Sequence, residues 1–350
     1  MAAKKGMKIS ELKKQINEDD IKSLYLFYGE EEYLKDIYIE RIKKKIPDGG
    51  FPEFNHLLLS GSLPMSEYDD AWESFPMMAE KKLIIIKDSA VANPRKGRSA
   101  ESSAEDIKKF WLEKLERINP DTVVIFDEKS VDKRSVIYKE ISRRGTVVEF
   151  DYLSEAELVT HVISRCLKMG RKISKDTAYA VVTRVDSGLM NLEHELEKLF
   201  EYCPEEILKS DVEKVVSKSL QVIVFDLSDA ILANNAAAAM RILNDVKAYS
   251  GDDAFGILYL LFANFEKILH VKLLDGKPAG EIAREIGAAP FIANKYIASA
   301  KRFDREALAE MVIRVAQTDS SIKEGRVDNW TALYSYVTEC MYYQNKGRRN

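Results

Sequence analysis

The feature that most constrains this chain is a change of hydrophobic period near residue 150. Before it, short β-rich runs alternate with longer stretches of helical period. The runs are Leu24 to Tyr28, Phe54 to Leu59, Leu83 to Ile86, Val123 to Phe126 and Val147 to Phe150. Each is almost continuous in apolar character, which predicts central strands of a parallel sheet covered on both faces. Between them Leu34, Ile37, Tyr38 and Ile42, and then Ile107, Phe110, Trp111 and Leu115, form stripes at helical spacing. Alternation of this kind builds an α/β domain, expected over residues 1–150.

One stretch interrupts the pattern. Ser89 to Asp106 is rich in Ser, Ala, Asn and Pro and carries Arg95, Lys96 and Arg98. It reads as an exposed insertion, because Glu101 and Glu105 follow the basic cluster at once; a phosphate-contacting loop is the alternative.

Beyond residue 150 the strand signals stop. Leu158, Val159, Val162 and Ile163, then Leu189, Leu192, Leu196, Leu199 and Phe200, recur at intervals of three and four, which predicts a small helical domain over residues 151–218. A third, all-helical domain is expected over 219–350. Within it Phe255 to Leu273 is apolar on nearly every side, so that helix must be covered within the domain or between subunits. Asp275-Gly276-Lys277-Pro278 ends it, and two further helices are expected from Glu281 and from Phe303.

Composition narrows the function classes. The 350 residues are 46% hydrophobic, enough for two or three packed domains. Lys plus Arg number 53 against 57 Asp plus Glu, a formal charge of −4, so any nucleic-acid contact must be local. Cys166, Cys203 and Cys340 stand far apart, and His56, His161, His194 and His270 form no metal pattern, which fits a reduced, metal-free, cytoplasmic protein. Lys4, Lys5 and Lys8 precede no apolar run of signal-peptide type, and no eighteen consecutive apolar residues occur, so neither export nor a membrane span is expected.

The first run leads into Gly29-Glu30-Glu31-Glu32-Tyr33-Leu34-Lys35-Asp36, where a phosphate loop of the form G-x-x-x-x-G-K-[ST] would sit. Gly29 and Lys35 fit. Leu34 stands where glycine would let the backbone approach a phosphate, and Asp36 replaces the magnesium-binding hydroxyl. Glu30, Glu31 and Glu32 add carboxylates, each costing about 4 kcal/mol beside a phosphate oxygen at an effective dielectric of 20. At a helix start the same acids would complement the dipole instead. Val123-Val124-Ile125-Phe126-Asp127-Glu128 has the form of a magnesium-binding strand, although a solvent-exposed strand end is the simpler expectation.

Four motifs in order resemble a known family. They are Leu24-Tyr25-Leu26-Phe27-Tyr28-Gly29-Glu30-Glu31-Glu32-Tyr33-Leu34, Leu192-Glu193-His194-Glu195-Leu196-Glu197-Lys198-Leu199, Val224-Phe225-Asp226-Leu227-Ser228-Asp229-Ala230-Ile231 and Asp319-Ser320-Ser321-Ile322-Lys323-Glu324-Gly325-Arg326. Together they resemble the delta subunit of the bacterial DNA polymerase III clamp loader across essentially the whole chain. The resemblance implies an AAA+-like α/β domain with a degenerate phosphate loop, a helical lid and an all-α collar. It implies a subunit of the replication machinery that binds the beta sliding clamp and opens its ring without hydrolysing ATP and without a cofactor. Its partners would be the tau/gamma ATPase subunits and delta-prime in a pentamer, around primer-template DNA at the nucleoid.

The resemblance also implies a clamp contact. In Ser74-Phe75-Pro76-Met77-Met78-Ala79-Glu80-Lys81-Lys82-Leu83, Met77 and Met78 match the family's apolar pair, commonly leucine and an aromatic, at a turn before the third strand. Pro76 stops the helix before them, and the charged Glu80, Lys81 and Lys82 follow. From residue type alone, packing of the two methionines as core under the sheet is the simpler expectation. Ser142-Arg143-Arg144 sits where related ATPases carry a finger for a neighbour's phosphate, or is a basic helix end complementing the dipole. Lys323 and Arg326 could meet a DNA backbone, although Asp319 and Lys323 also suit an i,i+4 ion pair. Lys346, Arg348 and Arg349 form a basic tail with no assigned role. An active AAA+-type ATPase and a helical DNA-binding adaptor are the competing classes. The failed phosphate loop opposes the first, and the net acidity opposes the second.

Overall fold

The computed structural model describes residues 6–61, 63–89, 91, 104–185, 188–250 and 254–347. The chain divides into two compact units, Met1–Tyr152 and Leu153–Asn350. The first runs α1 (Ile9–Asn17), β1 (Leu24–Tyr28), α2 (Glu32–Lys43), α3 (Pro52–Asn55), β2 (His56–Ser60), α4 (Met65–Glu73), β3 (Lys82–Lys87), α5 (Ala104–Glu116), β4 (Thr122–Glu128), α6 (Val136–Arg144) and β5 (Thr146–Glu149). Its strands form one sheet in the order β2-β3-β4-β1-β5, every adjacent pair parallel. Parallel neighbours need crossovers, which the intervening helices supply.

Alternate strand residues feed two separate cores, which is why the runs look continuous in sequence. Leu24, Leu26, Tyr28, Ile84, Ile86, Val124 and Phe126 meet Trp72, Trp111 and Tyr138 on one face. Tyr25, Phe27, Leu83, Ile85, Val123, Ile125 and Val148 meet Leu12, Ile16, Tyr38 and Ile42 on the other. Trp111 centres the first core, with edge-to-face contacts to Tyr68, Trp72, Phe110 and Phe126.

The second expected strand needs correcting. Pro52 at the first helical position nucleates α3, so Phe54 and Asn55 are helical and the strand starts at His56. It is an edge strand rather than a central one, and Leu58 on it is exposed. The insertion expected over Ser89 to Asp106 lies largely outside the described residues, Arg95, Lys96, Arg98 and Glu101 included; Ala104 to Asp106 already belong to α5.

The second unit continues with α7 (Glu155–Lys168), β6 (Lys172–Ile173), α8 (Lys175–Arg184), α9 (Leu189–Tyr202), β7 (Glu206–Ile207) and α10 (Lys209–Val215). Strand character therefore does not end at 150, because β6 and β7 pair in parallel; two residues each are too short to give a periodic signal. Then follow α11 (Leu220–Leu232), α12 (Ala236–Ser250), α13 (Ala254–Leu273), α14 (Ala279–Glu285), α15 (Pro290–Arg302), α16 (Arg305–Lys323) and α17 (Asn329–Gly347). Four helices follow Asp275 instead of two. Gly287 in the left-handed region and Pro290 at the first turn separate α14 from α15, and Gly325, also left-handed, ends α16.

Helix α13 is long and apolar enough to cross a membrane, but Ile257, Leu258, Leu261, Phe265 and Ile268 are buried where it packs on α11, α15, α16 and α17. Within this chain its covering is partial, since Phe255, Tyr259 and Leu273 remain exposed.

Candidate functional site

In a parallel sheet the loops leaving the strands and the loops entering them lie at opposite edges. The Gly29 turn leaves β1 and Asp127-Glu128 end β4, at one edge; the Met77-Met78 turn enters β3 at the other.

At the first edge, the groups that would cradle a phosphate bond to the protein itself. The Gly29 N–H donates to the Glu128 carbonyl (3.2 Å), and the Glu31 N–H donates to the Phe150 carbonyl (2.9 Å). A Cβ on Gly29, at φ 129°, would lie 2.2 Å from the Phe150 carbonyl oxygen, so this glycine serves chain-to-chain approach. Lys35 is buried and places its ammonium 2.7 Å from Asp127 Oδ1, while donating to the Glu128 carbonyl at 3.2 Å. Lys87 bridges Asp127 Oδ2 (3.4 Å) and Asp36 (2.6 Å). Burial alone would lower the Lys87 ammonium, but its hydrogen bonds and charge contacts with Asp36 and Asp127 outweigh that and hold it above its ordinary value.

Two expectations change here. Asp127 and Glu128 are buried rather than a solvent-exposed strand end, because β4 lies between β1 and β3 and Lys35 neutralises the aspartate. Glu31 is buried, whereas Glu30 and Glu32 point outward, Glu32 pairing with Lys129.

At the opposite edge Met77 is 42% and Met78 81% exposed, with Phe75 beside them at 75%. Two buried polar side chains hold this turn. Asn55, at the end of α3, accepts from the Met77 N–H (2.7 Å) and donates to the Met77 carbonyl (2.7 Å) and the Asp48 carbonyl (2.8 Å). Lys82, read from sequence as part of the charged run, is fully buried. Its ammonium donates to the carbonyls of Ala71 (2.8 Å), Trp72 (3.0 Å) and Ser74, and to Ser74 Oγ (3.0 Å). It thereby closes the C-terminus of α4, whose last carbonyls lack helical partners. Burial pushes the Lys82 ammonium down to about 8, against the opposing pull of Asp121 and Glu73.

A family model described as "DNA polymerase III, delta subunit" matches residues 25–151, and one described as "DNA polymerase III delta subunit, C-terminal domain" matches residues 221–340. The chain belongs to the DNA polymerase III delta subunits. It is 22% identical over 341 residues to "DNA polymerase III subunit delta" of Bacillus subtilis, covering 95% of this chain and 97% of that one. It is 21% identical over 327 residues to "Probable DNA polymerase III subunit delta" of Aquifex aeolicus, covering 90% of each. The solved "Bacillus subtilis DNA clamp loader delta protein" shares its fold, with a TM-score of 0.76 at 21% identity over 95% of this chain and 99% of that one.

The other expected site residues of this delta subunit lie apart from both edges in sequence. Arg143, near the end of α6, pairs with Glu140 at 2.6 Å and is exposed, while Ser142 is buried. Those contacts, hydrogen bonds from Arg143 and Arg144 first, pull the Glu140 carboxyl down to about 2. Lys323 makes the i,i+4 pair with Asp319 (2.8 Å) and lies over the Phe255 ring; Arg326 pairs with Glu324. Arg348 and Arg349 lie outside the described residues. In the second motif Glu193 is buried and binds His161 and Arg165.

Sequence reasoning missed Asn55, Lys82 and the link from Lys35 to Asp127. A lone Asn in an apolar stretch was the signal for the first. Nothing local distinguishes Lys82 from its neighbour Lys81.

Proposed function

We propose that this delta subunit binds the beta sliding clamp through Met77 and Met78 and opens one interface of the ring, without hydrolysing ATP itself. The exposure of two large apolar side chains on a turn held by buried hydrogen bonds carries this reading. Isolated exposed apolar residues are ordinary, but two in succession on a braced turn form an anchor suited to a pocket. Methionine adapts its shape to an irregular apolar pocket, at some loss of rigidity relative to an aromatic.

The inward-bonded phosphate loop supports a role without hydrolysis. A nucleotide would have to displace the Lys35–Asp127 pair and the carbonyl partners of Gly29 and Glu31. We further propose that residues 151–218 act as a lid and 219–350 as a collar. The collar would join tau/gamma ATPase subunits and delta-prime in a cytoplasmic, replisome-associated pentamer around primed DNA. The exposed Phe255 and Tyr259 of α13 suit such a contact.

Titration calorimetry of the full chain against the sliding clamp, and separately against ATP with magnesium, tests both halves. Clamp binding without ATP binding is expected. Micromolar ATP binding would favour the competing ATPase reading, and no heat with the clamp would remove the proposed partner.

A further inference from the structure

We infer that Asn55 is a positioning residue for the clamp contact: its buried amide holds the Met77-Met78 turn in its binding shape before any partner arrives. The inference rests on the clamp reading above, and it concerns how the tip is made ready.

The amide of Asn55 has no exposed surface, and its hydrogen-bonding capacity is directed at the chain on either side of it. Its oxygen takes the Met77 N–H, and its two N–H groups serve the Met77 and Asp48 carbonyls, all within 2.7–2.8 Å. Donating to and accepting from one residue is the arrangement of a paired strand, supplied here by a side chain across 22 positions. It fixes the peptide planes on both sides of Met77.

Met78 then adopts φ 53°, in the left-handed region where an unbranched non-glycine residue sits at a cost. The opposite wall is Gly49, at φ 63°, where a Cβ would lie 2.4 Å from the Met78 carbonyl oxygen. Asn55 and Gly49 thus hold the backbone on two sides, which leaves most of Met78 and a part of Met77 in solvent. Without the clasp Met78 is free to relax to negative φ, which turns its side chain away. The partner would then have to select a minor conformer and bind more weakly.

The test compares wild type, Asn55→Ala and Gly49→Ala in two measurements on the full chain: affinity for the sliding clamp, and amide hydrogen exchange in the free protein. Asn55→Ala is expected to weaken clamp binding about tenfold, as when two rotamer-rich side chains must be ordered on association. Exchange at the Met77 amide should rise while Ile84 and Ile85 in β3 stay protected. In a Met77→Ala, Met78→Ala background the same substitution should cost no further affinity, an outcome that a purely structural role would not give.

Unchanged affinity despite faster Met77 exchange would overturn the inference. So would an unchanged exchange rate, since the clasp would then not be what holds the turn. If Asn55→Ala does not fold, Gly49→Ala pushes on the same turn from the other side, and undiminished clamp binding by it would also overturn the inference. A wild-type chain that ignores the clamp would sink the partner reading, and Met77 exchange alone would then decide whether Asn55 holds the turn.

Discussion

Replacing Met77 and Met78 together by alanine separates a docking tip from a piece of core. Fully burying a methionine side chain stabilises by about 1.5–3 kcal/mol, and only area still exposed in the free protein can contribute to docking. With Met77 42% and Met78 81% exposed, the pair can supply about 2–4 kcal/mol to a complex, roughly a 30- to 900-fold loss of affinity on truncation. The folded chain loses much less. Only the covered part of Met77 matters appreciably, about 1–2 kcal/mol, which lowers the melting temperature by only a few degrees in a unit of this size. Surface plasmon resonance against immobilised sliding clamp, with a thermal melt of the same preparations, reads both quantities. Undiminished affinity with the fold intact would refute the docking role. A fall in melting temperature above about 10 °C would show instead that the methionines are core.

Lys82→Met keeps the volume but strands the α4 carbonyls, and should cost about 1–3 kcal/mol in urea unfolding at neutral pH. Burial holds the folded Lys82 near 8, below its ordinary 10.5, so between those values the folded chain binds fewer protons than the unfolded one; wild-type stability relative to Lys82→Met should therefore rise from pH 8 to 10.5 and be level on either side of that window. Lys35→Met leaves the buried Asp127 with only its longer contact to Lys87 and should cost about 1–3 kcal/mol by the same assay, most of it recovered when Asp127→Leu is added. Arg326→Ala should leave the melting temperature unchanged, because its partner Glu324 is solvent-exposed, but should flatten the salt dependence of DNA binding by the assembled complex if Arg326 meets a phosphate; an unaltered slope removes it from the interface.

Much of the first unit was legible from residue order. A parallel strand packed on both faces must be apolar at consecutive positions, so β1, β3, β4 and β5 stood out, and the type of residue at positions 34 and 36 showed the departure from a phosphate-loop motif. Edge position is different. β2 has an ordinary strand composition, and only its place in the order β2-β3-β4-β1-β5 leaves Leu58 uncovered. The tip turn was visible through Pro76 and the successive methionines, yet its supports were not. Lys82 and Lys81 are the same residue type one position apart, and the pleat at the start of β3 sends Lys82 inward beneath α4 while Lys81 remains partly exposed.

What the amino-acid order alone determined was therefore local: where the hydrophobic period is two-sided or helical, where it breaks, and which residue types stand at the positions of a phosphate-loop motif. Tertiary structure decided which distant groups meet and which stay in water. Lys35 reaches the end of β4, 93 positions away, because parallel crossovers bring successive strand ends to one edge, and Asn55 reaches Met77 because the start of β2 lies beside the start of β3. Burial and hydrogen-bond pairing are properties of that assembled surface, and no window of sequence short enough to show a period contains both partners.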